Sequence, residues 1–179
     1  MIMSSISINE IYEKNDAIAI RLRTLIDSLD QAQLDHSPDG EKWTIANVVE
    51  HVSLVENRMI RICTKLLRKA ESEDMLGNGM ISTSDDFVGK VAKIAQIKLE
   101  APEIVQPTRE RSVKESLELF KENRLHLEEL RPSFEKFDST SRRFAHPFLG
   151  ELSAGEWLSL IGGHKARHIK QIERMAESK

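Results

Sequence analysis

The sequence predicts an all-α protein, an antiparallel four-helix bundle with a long crossover between its second and third helices. Three observations predict it. Four segments space their apolar residues by three and four, the period of a helix with one buried stripe. Three of those segments open with a helix-capping signal. Glycine and proline, the residues that interrupt helices, number only 8 and 5 among 179. A chain of this length fits one domain, residues 1–179, and can bury a core without staples.

The first helix is expected from about Ser7 to Leu29. Ile8, Ile11, Ile18, Leu22, Leu25 and Leu29 form its seam, with Asn15 in the one polar slot. His36-Ser37-Pro38-Asp39-Gly40 then breaks the pattern with turn residues. Thr44 caps the second helix, whose stripe runs Ile45, Val48, Val52, Val55, Met59, Ile62 and Leu66 and ends near Ala70. Residues 71–111 read as a connection: Gly77 to Gly79 and Ser82 to Ser84 as loop, Phe87 to Leu99 as a short helix, Pro102 and Pro107 as extended chain. A link this long inside a compact domain is usually functional, and in a bundle it serves as a crossover.

Ser112-Val113-Lys114-Glu115 has the spacing of a capping box and opens the third helix. Val113, Leu117, Phe120, Leu127 and Phe134 mark its buried stripe, Arg124 falls on the same stripe, and Pro132 is expected to end the helix before Phe134. A link containing His146 to Gly150 follows. Ser153-Ala154-Gly155-Glu156, a second capping box, opens the fourth helix, which should reach about Ala176.

Charge and composition exclude several function classes. Net charge is −3, from 26 Lys+Arg against 29 Asp+Glu, and no basic patch stands out, so no nucleic-acid partner is expected. Apolar runs extend only a few residues, so no membrane partner is expected. The first twenty residues lack a basic region followed by an uninterrupted apolar stretch, so no cleaved signal peptide is expected. Cys63, the only cysteine, cannot form an internal disulfide. Together these place the protein in the cytoplasm.

His164 and His168 stand four residues apart on the fourth helix, which puts both rings on one face, roughly 5–6 Å apart at Cβ. Trp157, Ile161, His164, His168 and Met175 share one three-and-four rhythm, so the pair occupies stripe positions where leucine is the norm. Two buried imidazoles need partners, and a shared metal ion takes a lone pair from each. His51 flanks the stripe of Val48, Val52 and Val55 on the second helix, facing a helix–helix seam. Three histidine ligands leave a position open, as in catalytic sites. Periodicity alone leaves open whether His51 meets the other two. His36, His126 and His146 read as turn, surface and local-cap residues and are left out of the metal set.

Two stretches resemble the DinB/YfiT-like superfamily of metal-dependent enzymes. Trp43-Thr44-Ile45-Ala46-Asn47-Val48-Val49-Glu50-His51-Val52 is similar to the family's lead-in to helix two, ending in a ligand histidine. His146-Pro147-Phe148-Leu149-Gly150-Glu151-Leu152-Ser153-Ala154-Gly155-Glu156-Trp157, with His164 and His168 after it, is similar to the family's final helix. The resemblance implies an up-down-down-up bundle, convergence of His51, His164 and His168 on one divalent ion (zinc or nickel), and a homodimer. Relatives include hydrolases and enzymes that use low-molecular-weight thiols.

Three functions follow for comparison. The first is a hydrolase acting on a small-molecule substrate through metal-bound water, with a pKa near 7 for that water. Arg167 or Lys165 would steer an anion and Asn47 would orient water, although all three read more simply as surface or flank residues. Glu50 lies about 100° around the helix from His51 and is expected in solvent, and Glu56 is no better placed as a base. The second is a thiol-dependent S-transferase or isomerase, in which the metal ionises a cosubstrate thiol; Cys63 sits in a core setting and is no nucleophile. The third is a non-catalytic metal- or partner-binding bundle, in which Asn15 and Arg124 point away from the histidines and act as specificity devices. Trp43 and Trp157 read as packing residues near helix starts.

Overall fold

The computed structural model describes residues 4–83, 85–94, 97 and 100–178. In chain order these are β1 (Ser4–Ser7), α1 (Ile8–Asp27), α2 (Gln31–Asp35), α3 (Ile45–Ser72), β2 (Met80–Thr83), α4 (Asp85–Ile94), a 3-10 turn (Glu103–Val105), α5 (Val113–Lys136), β3 (Arg143–His146), β4 (Gly150–Ser153) and α6 (Ala154–Glu177). The four long helices are those the periodicity predicts. Each starts at a capping box: Ser7 with Glu10, Thr44 with Asn47, Ser112 with Glu115 and Ser153 with Glu156. Asn47 is thereby accounted for. Its Oδ1 accepts from the Thr44 backbone N–H at 3.2 Å, which makes it half of a cap and not a substrate contact.

Cross-helix contacts set the directions. Asn15 Nδ2 donates to Leu158 O at 3.1 Å and Arg21 pairs with Glu173, so α1 and α6 run parallel. Tyr12 Oη donates to Leu127 O at 2.6 Å and Arg124 pairs with Asp16, so α1 and α5 run antiparallel. Glu56 meets Lys165, and Cys63 Sγ lies 3.6 Å from Ala154 O, so α3 and α6 run antiparallel. Asn123 Nδ2 donates to Ser53 O, and Leu76 bridges to Phe137 beyond the far ends of the same two helices, so α3 and α5 run parallel. The bundle is therefore up-down-down-up. Because α3 and α5 point the same way, the chain between them returns along a helix of 28 residues, about 42 Å.

That return path carries structure of its own. β2 pairs antiparallel with β1, and α4 covers part of the core through Phe87. Residues 95, 96, 98 and 99 of the expected short helix lie outside the described residues. The link at His146 is a β-hairpin of β3 and β4, with Gly150 at φ +82°, a conformation that favours glycine. Pro132 does not end α5. The helix runs on to Lys136, and Phe134 in the continuing turn is fully buried with its ring edge against Tyr12. Burial of that ring, worth up to about 3 kcal/mol, offsets a helical proline of similar cost.

Apolar packing forms two clusters. One gathers Tyr12, Leu67, Ile81, Phe134 and Leu158; the other gathers Leu22, Ile45, Val49, Ile169 and Ile172. Polar residues fill the level between them. Asn15, Ser53, Glu56, Asn123, Lys165, His51 and His168 are all buried. Gly162 permits the closest approach there, since a Cβ on it would lie 2.2 Å from Asn15 Oδ1. Lys165, expected at the surface, is only 5% exposed and forms an ion pair with Glu56, whose second oxygen accepts from Asn123 Nδ2 at 3.4 Å. Removing one member leaves a buried charge unpaired. Lys165→Met should therefore cost about 3–5 kcal/mol in urea unfolding, and the double variant Glu56→Met, Lys165→Met should recover most of that loss.

Candidate metal centre

The three histidines predicted as a set come together. His51 sits in the second turn of α3, and His164 and His168 lie one turn apart on α6. One ring nitrogen from each lies within 4.8 Å of the others. Ring centroids are 5.2 Å apart for His51–His164, 5.1 Å for His51–His168 and 4.5 Å for His164–His168. His51 and His168 are buried, while His164 is partly exposed toward a cavity.

Hydrogen bonds set the tautomers. His51 Nδ1–H donates to Val105 O at 2.6 Å, and His168 Nδ1–H donates to Gln171 Oε1 at 2.8 Å. Each bond places the ring proton on Nδ1 and leaves a lone pair on Nε2. This is the arrangement by which outer partners orient metal-binding histidines. His168 Nε2 and His164 Nε2 stand 3.2 Å apart, so either a proton on His164 or a shared cation lies between them. Two ligands at 2.0–2.1 Å from a tetrahedral ion are about 3.3 Å apart, so the donor set fits such an ion.

Electrostatics point the same way. Burial lowers the pKa of all three rings. His168 is brought to about 3, and His164 is held well below its ordinary value by burial first and then by the neighbouring His168 and His51. Neutral imidazoles are the ligating form. Among the described residues no fourth histidine, cysteine or carboxylate joins the group, so a bound ion would keep an open position.

That position faces a cavity of about 330 Å³ whose lining includes His51 and His164 together with Val55, Met59, Trp157 and Leu160. Val55 and Ile62 are only partly buried despite their stripe positions because they form its wall. The crossover between α3 and α5 supplies the opposite wall through Val91, Ile94, Pro102 and Val105.

Several other expectations are corrected. Glu50 is 1% exposed, not solvated. Its Oε1 accepts from the N–H and Oγ1 of Thr108, at 3.0 and 2.7 Å, and its Oε2 from Arg109 N at 3.2 Å. Arg109 takes a left-handed φ of +65° to bring its amide there. Glu50 thus ties down the segment whose Val105 carbonyl orients His51. Arg167 lines the cavity and donates to Ile97 O at 3.3 Å. Trp43 packs its ring 4.9 Å from His51. Of the two alternatives the sequence left open for Asn15 and Arg124, the structure shows the one the non-catalytic reading expects: Asn15 bonds to the α6 backbone, Arg124 pairs with Asp16 at the surface, and both are absent from the cavity lining. His36 and His126 are exposed, as expected. His146 caps its own turn, as expected, its Nδ1 accepting from Phe148 N and Leu149 N, and it lies outside the three-histidine group; it also lines the cavity. Cys63 is fully buried, and burial raises its thiol pKa, which suits a core residue.

The sequence model of the DinB superfamily matches residues 17–172. The chain belongs to the DinB superfamily. It is 22% identical over 153 residues to the uncharacterized protein YuaE of Bacillus subtilis strain 168, covering 83% of this chain and 86% of YuaE. Its fold is similar to the crystal structure of TT2238, a four-helix bundle protein, with TM-score 0.60 and 25% identity over 92% of this chain and 96% of that one. No helix among the described residues is long and apolar enough to cross a membrane.

A pH dependence follows from the buried rings. An unfolded histidine titrates near pH 6.5, whereas His168 in the fold titrates near 3. Between those values the unfolded chain binds more protons, so stability falls as pH drops below 6.5 and is flat above it. The expected loss is up to about 1.4 kcal/mol per pH unit for each ring that stays neutral. Urea midpoints of metal-stripped protein at pH 7, 6 and 5 measure it, and His168→Asn should show a shallower slope.

Proposed function

We propose that this protein is a metal-dependent enzyme in which His51, His164 and His168 ligate one divalent cation at a cavity that takes a small-molecule substrate. The observation that carries this reading is the meeting of three neutral imidazoles from two helices with no fourth protein ligand among the described residues, beside a cavity large enough for a small molecule. Such an ion supplies Lewis acidity, lowering the pKa of a water or thiol that it binds. Zinc or nickel suits the ligand set.

The chain's own residues hold the site ready. Val105 O and Gln171 Oε1 take the Nδ1 protons of His51 and His168 and so aim their Nε2 lone pairs. The Glu50 carboxylate holds Thr108 and Arg109, and through them the wall that carries Val105. Apolar side chains from α3 and the crossover make up much of the lining, and electrostatic interactions are stronger beside such surface than in bulk water.

Hydrolysis is the first reading. Nearby carboxylates are already engaged: Glu56 by Lys165 and Asn123, and Glu50 by the crossover. Glu100, on the cavity lining, is exposed and paired with Lys42. The reaction is thus one that needs no protein carboxylate as base. A thiol-dependent S-transferase or isomerase is the second reading, favoured by Arg58 and Arg167 on the lining, two guanidinium groups suited to the carboxylates of a small thiol cosubstrate. A cytoplasmic homodimer with no nucleic-acid or membrane partner remains the expected setting, and light scattering reads the dimer.

Elemental analysis of purified protein should find about one metal per chain, and His164→Ala should lose it. Gln171→Leu keeps all three ligands but releases His168 Nδ1, so metal affinity should fall 10- to 100-fold with helix content unchanged by circular dichroism. Turnover of an ester, amide or lactone panel that stops on chelation supports the hydrolase. Conjugation that requires added bacillithiol, mycothiol or glutathione supports the transferase. A metal-free His51, His164, His168 set at saturating zinc and nickel would sink both.

A further inference from the structure

One face of α3 lines the cavity beside the histidines. His51, Val55, Arg58, Met59 and Ile62 all border it. Their spacing of four, three, one and three residues keeps them on one side of a helix with about 3.6 residues per turn. Arg58 follows His51 by two turns, which is about 10 Å along the axis. The face thus presents a candidate metal ligand, then apolar surface, then a cation.

Arg58 is the one charge on the lining without a partner among the described residues. Its side chain is exposed, and no carboxylate pairs with it. Glu100 is paired with Lys42, and Arg167 donates to Ile97 O. Most of the remaining lining is apolar, and that surface continues outward past the chamber. Ile104, Phe148 and Phe144 are 66%, 45% and 36% exposed, and all three border the same cavity. Single exposed apolar side chains are ordinary, but a group of them at one opening marks surface that a ligand covers.

These features select among ligand classes. A small, fully polar anion would lose hydration across the apolar surface and recover it at one guanidinium only. An uncharged apolar molecule would leave Arg58 unused. A molecule with an apolar body and one carboxylate matches both, because a guanidinium offers paired N–H groups to the two carboxylate oxygens.

We infer that the cavity's ligand is an apolar-bodied monocarboxylate, of the alkanoate or arylalkanoate class, with its carboxylate on Arg58 and its body along α3 toward His51 and His164. This deepens the metal-dependent reading by naming its substrate class. It rests on that reading for the reaction alone, and the binding it describes is measurable without metal.

The probes are octanoate, octanol, which keeps the chain without the charge, and butanoate, which keeps the charge on a shorter chain. Each is titrated calorimetrically into the full chain as purified and again after chelation. Wild type should bind octanoate roughly 10- to 100-fold more tightly than butanoate, because four more methylenes leave water. It should bind octanoate roughly three- to fivefold more tightly than octanol, the range of an exposed ion pair. Both preferences should survive chelation. Arg58→Gln changes an exposed position and should melt like wild type. It should abolish the preference for octanoate over octanol and leave octanol binding unchanged. Phe148→Ser should weaken octanoate and octanol alike and keep the charge preference. Equal affinity of wild type for octanoate and octanol, or for octanoate and butanoate, overturns the inference. A charge preference that ignores Arg58→Gln also overturns it: loss on chelation then assigns the carboxylate to the metal and supports the metal centre, and loss in Arg167→Gln assigns it to Arg167. Both preferences intact in a chain that binds neither zinc nor nickel support the inference and overturn the metal reading alone.

Discussion

The parallel orientation of α3 and α5 is the constraint on which the rest of this structure depends. Two consecutive long helices that point the same way cannot be joined by a tight turn, so the chain must travel back along about 42 Å of bundle. That return segment is anchored at one end by pairing of β2 with β1 and at the other by the Glu50 carboxylate. Between those anchors it roofs a cavity, and near the second it presents the Val105 carbonyl to His51. The connection the topology requires thus also shapes and orients the site.

The polar level across the bundle is the second organising feature. It lies between two apolar clusters and joins an ion pair, two asparagines and the histidines across α1, α3, α5 and α6. Buried polar groups of this kind add little net stability, but they are costly when mismatched, so they oppose register slips between helices. The histidines share the level with Lys165 and Glu56 but meet different residues: Lys165 reaches Glu56 of α3 and Phe120 of α5, whereas His164 and His168 meet His51 of α3. One helix thereby serves a structural ion pair and a candidate metal centre from adjacent residues.

Membership of the DinB superfamily accounts for the four-helix scaffold. It does not choose a reaction, because a fold hosts many chemistries and the site's surroundings select among them. Those surroundings here are mostly apolar, with the His146 ring and two guanidinium groups, Arg58 and Arg167, on the lining. Differences among relatives are to be sought in the crossover and the β3–β4 hairpin, which supply much of the lining, more than in the helices.

The sequence by itself determined the four long helices, their starts and the pairing of His164 with His168. Helical periodicity and capping boxes are local, and each is complete within about four residues of chain. It also placed Glu50 correctly, a hundred degrees around the helix from His51. What it could not read was what occupies that direction: solvent was expected, and the folded crossover stands there instead. The same limit explains Lys165 and Pro132, where a distant carboxylate and a distant tyrosine ring outweigh the local preference. That His51 meets the α6 pair was implied by the family resemblance and left open by periodicity, whereas tertiary structure alone decided that His146 belongs to the cavity and that Arg124 turns outward to Asp16. Those outcomes depend on contacts between residues far apart in the chain, and only the packing of the bundle specifies them.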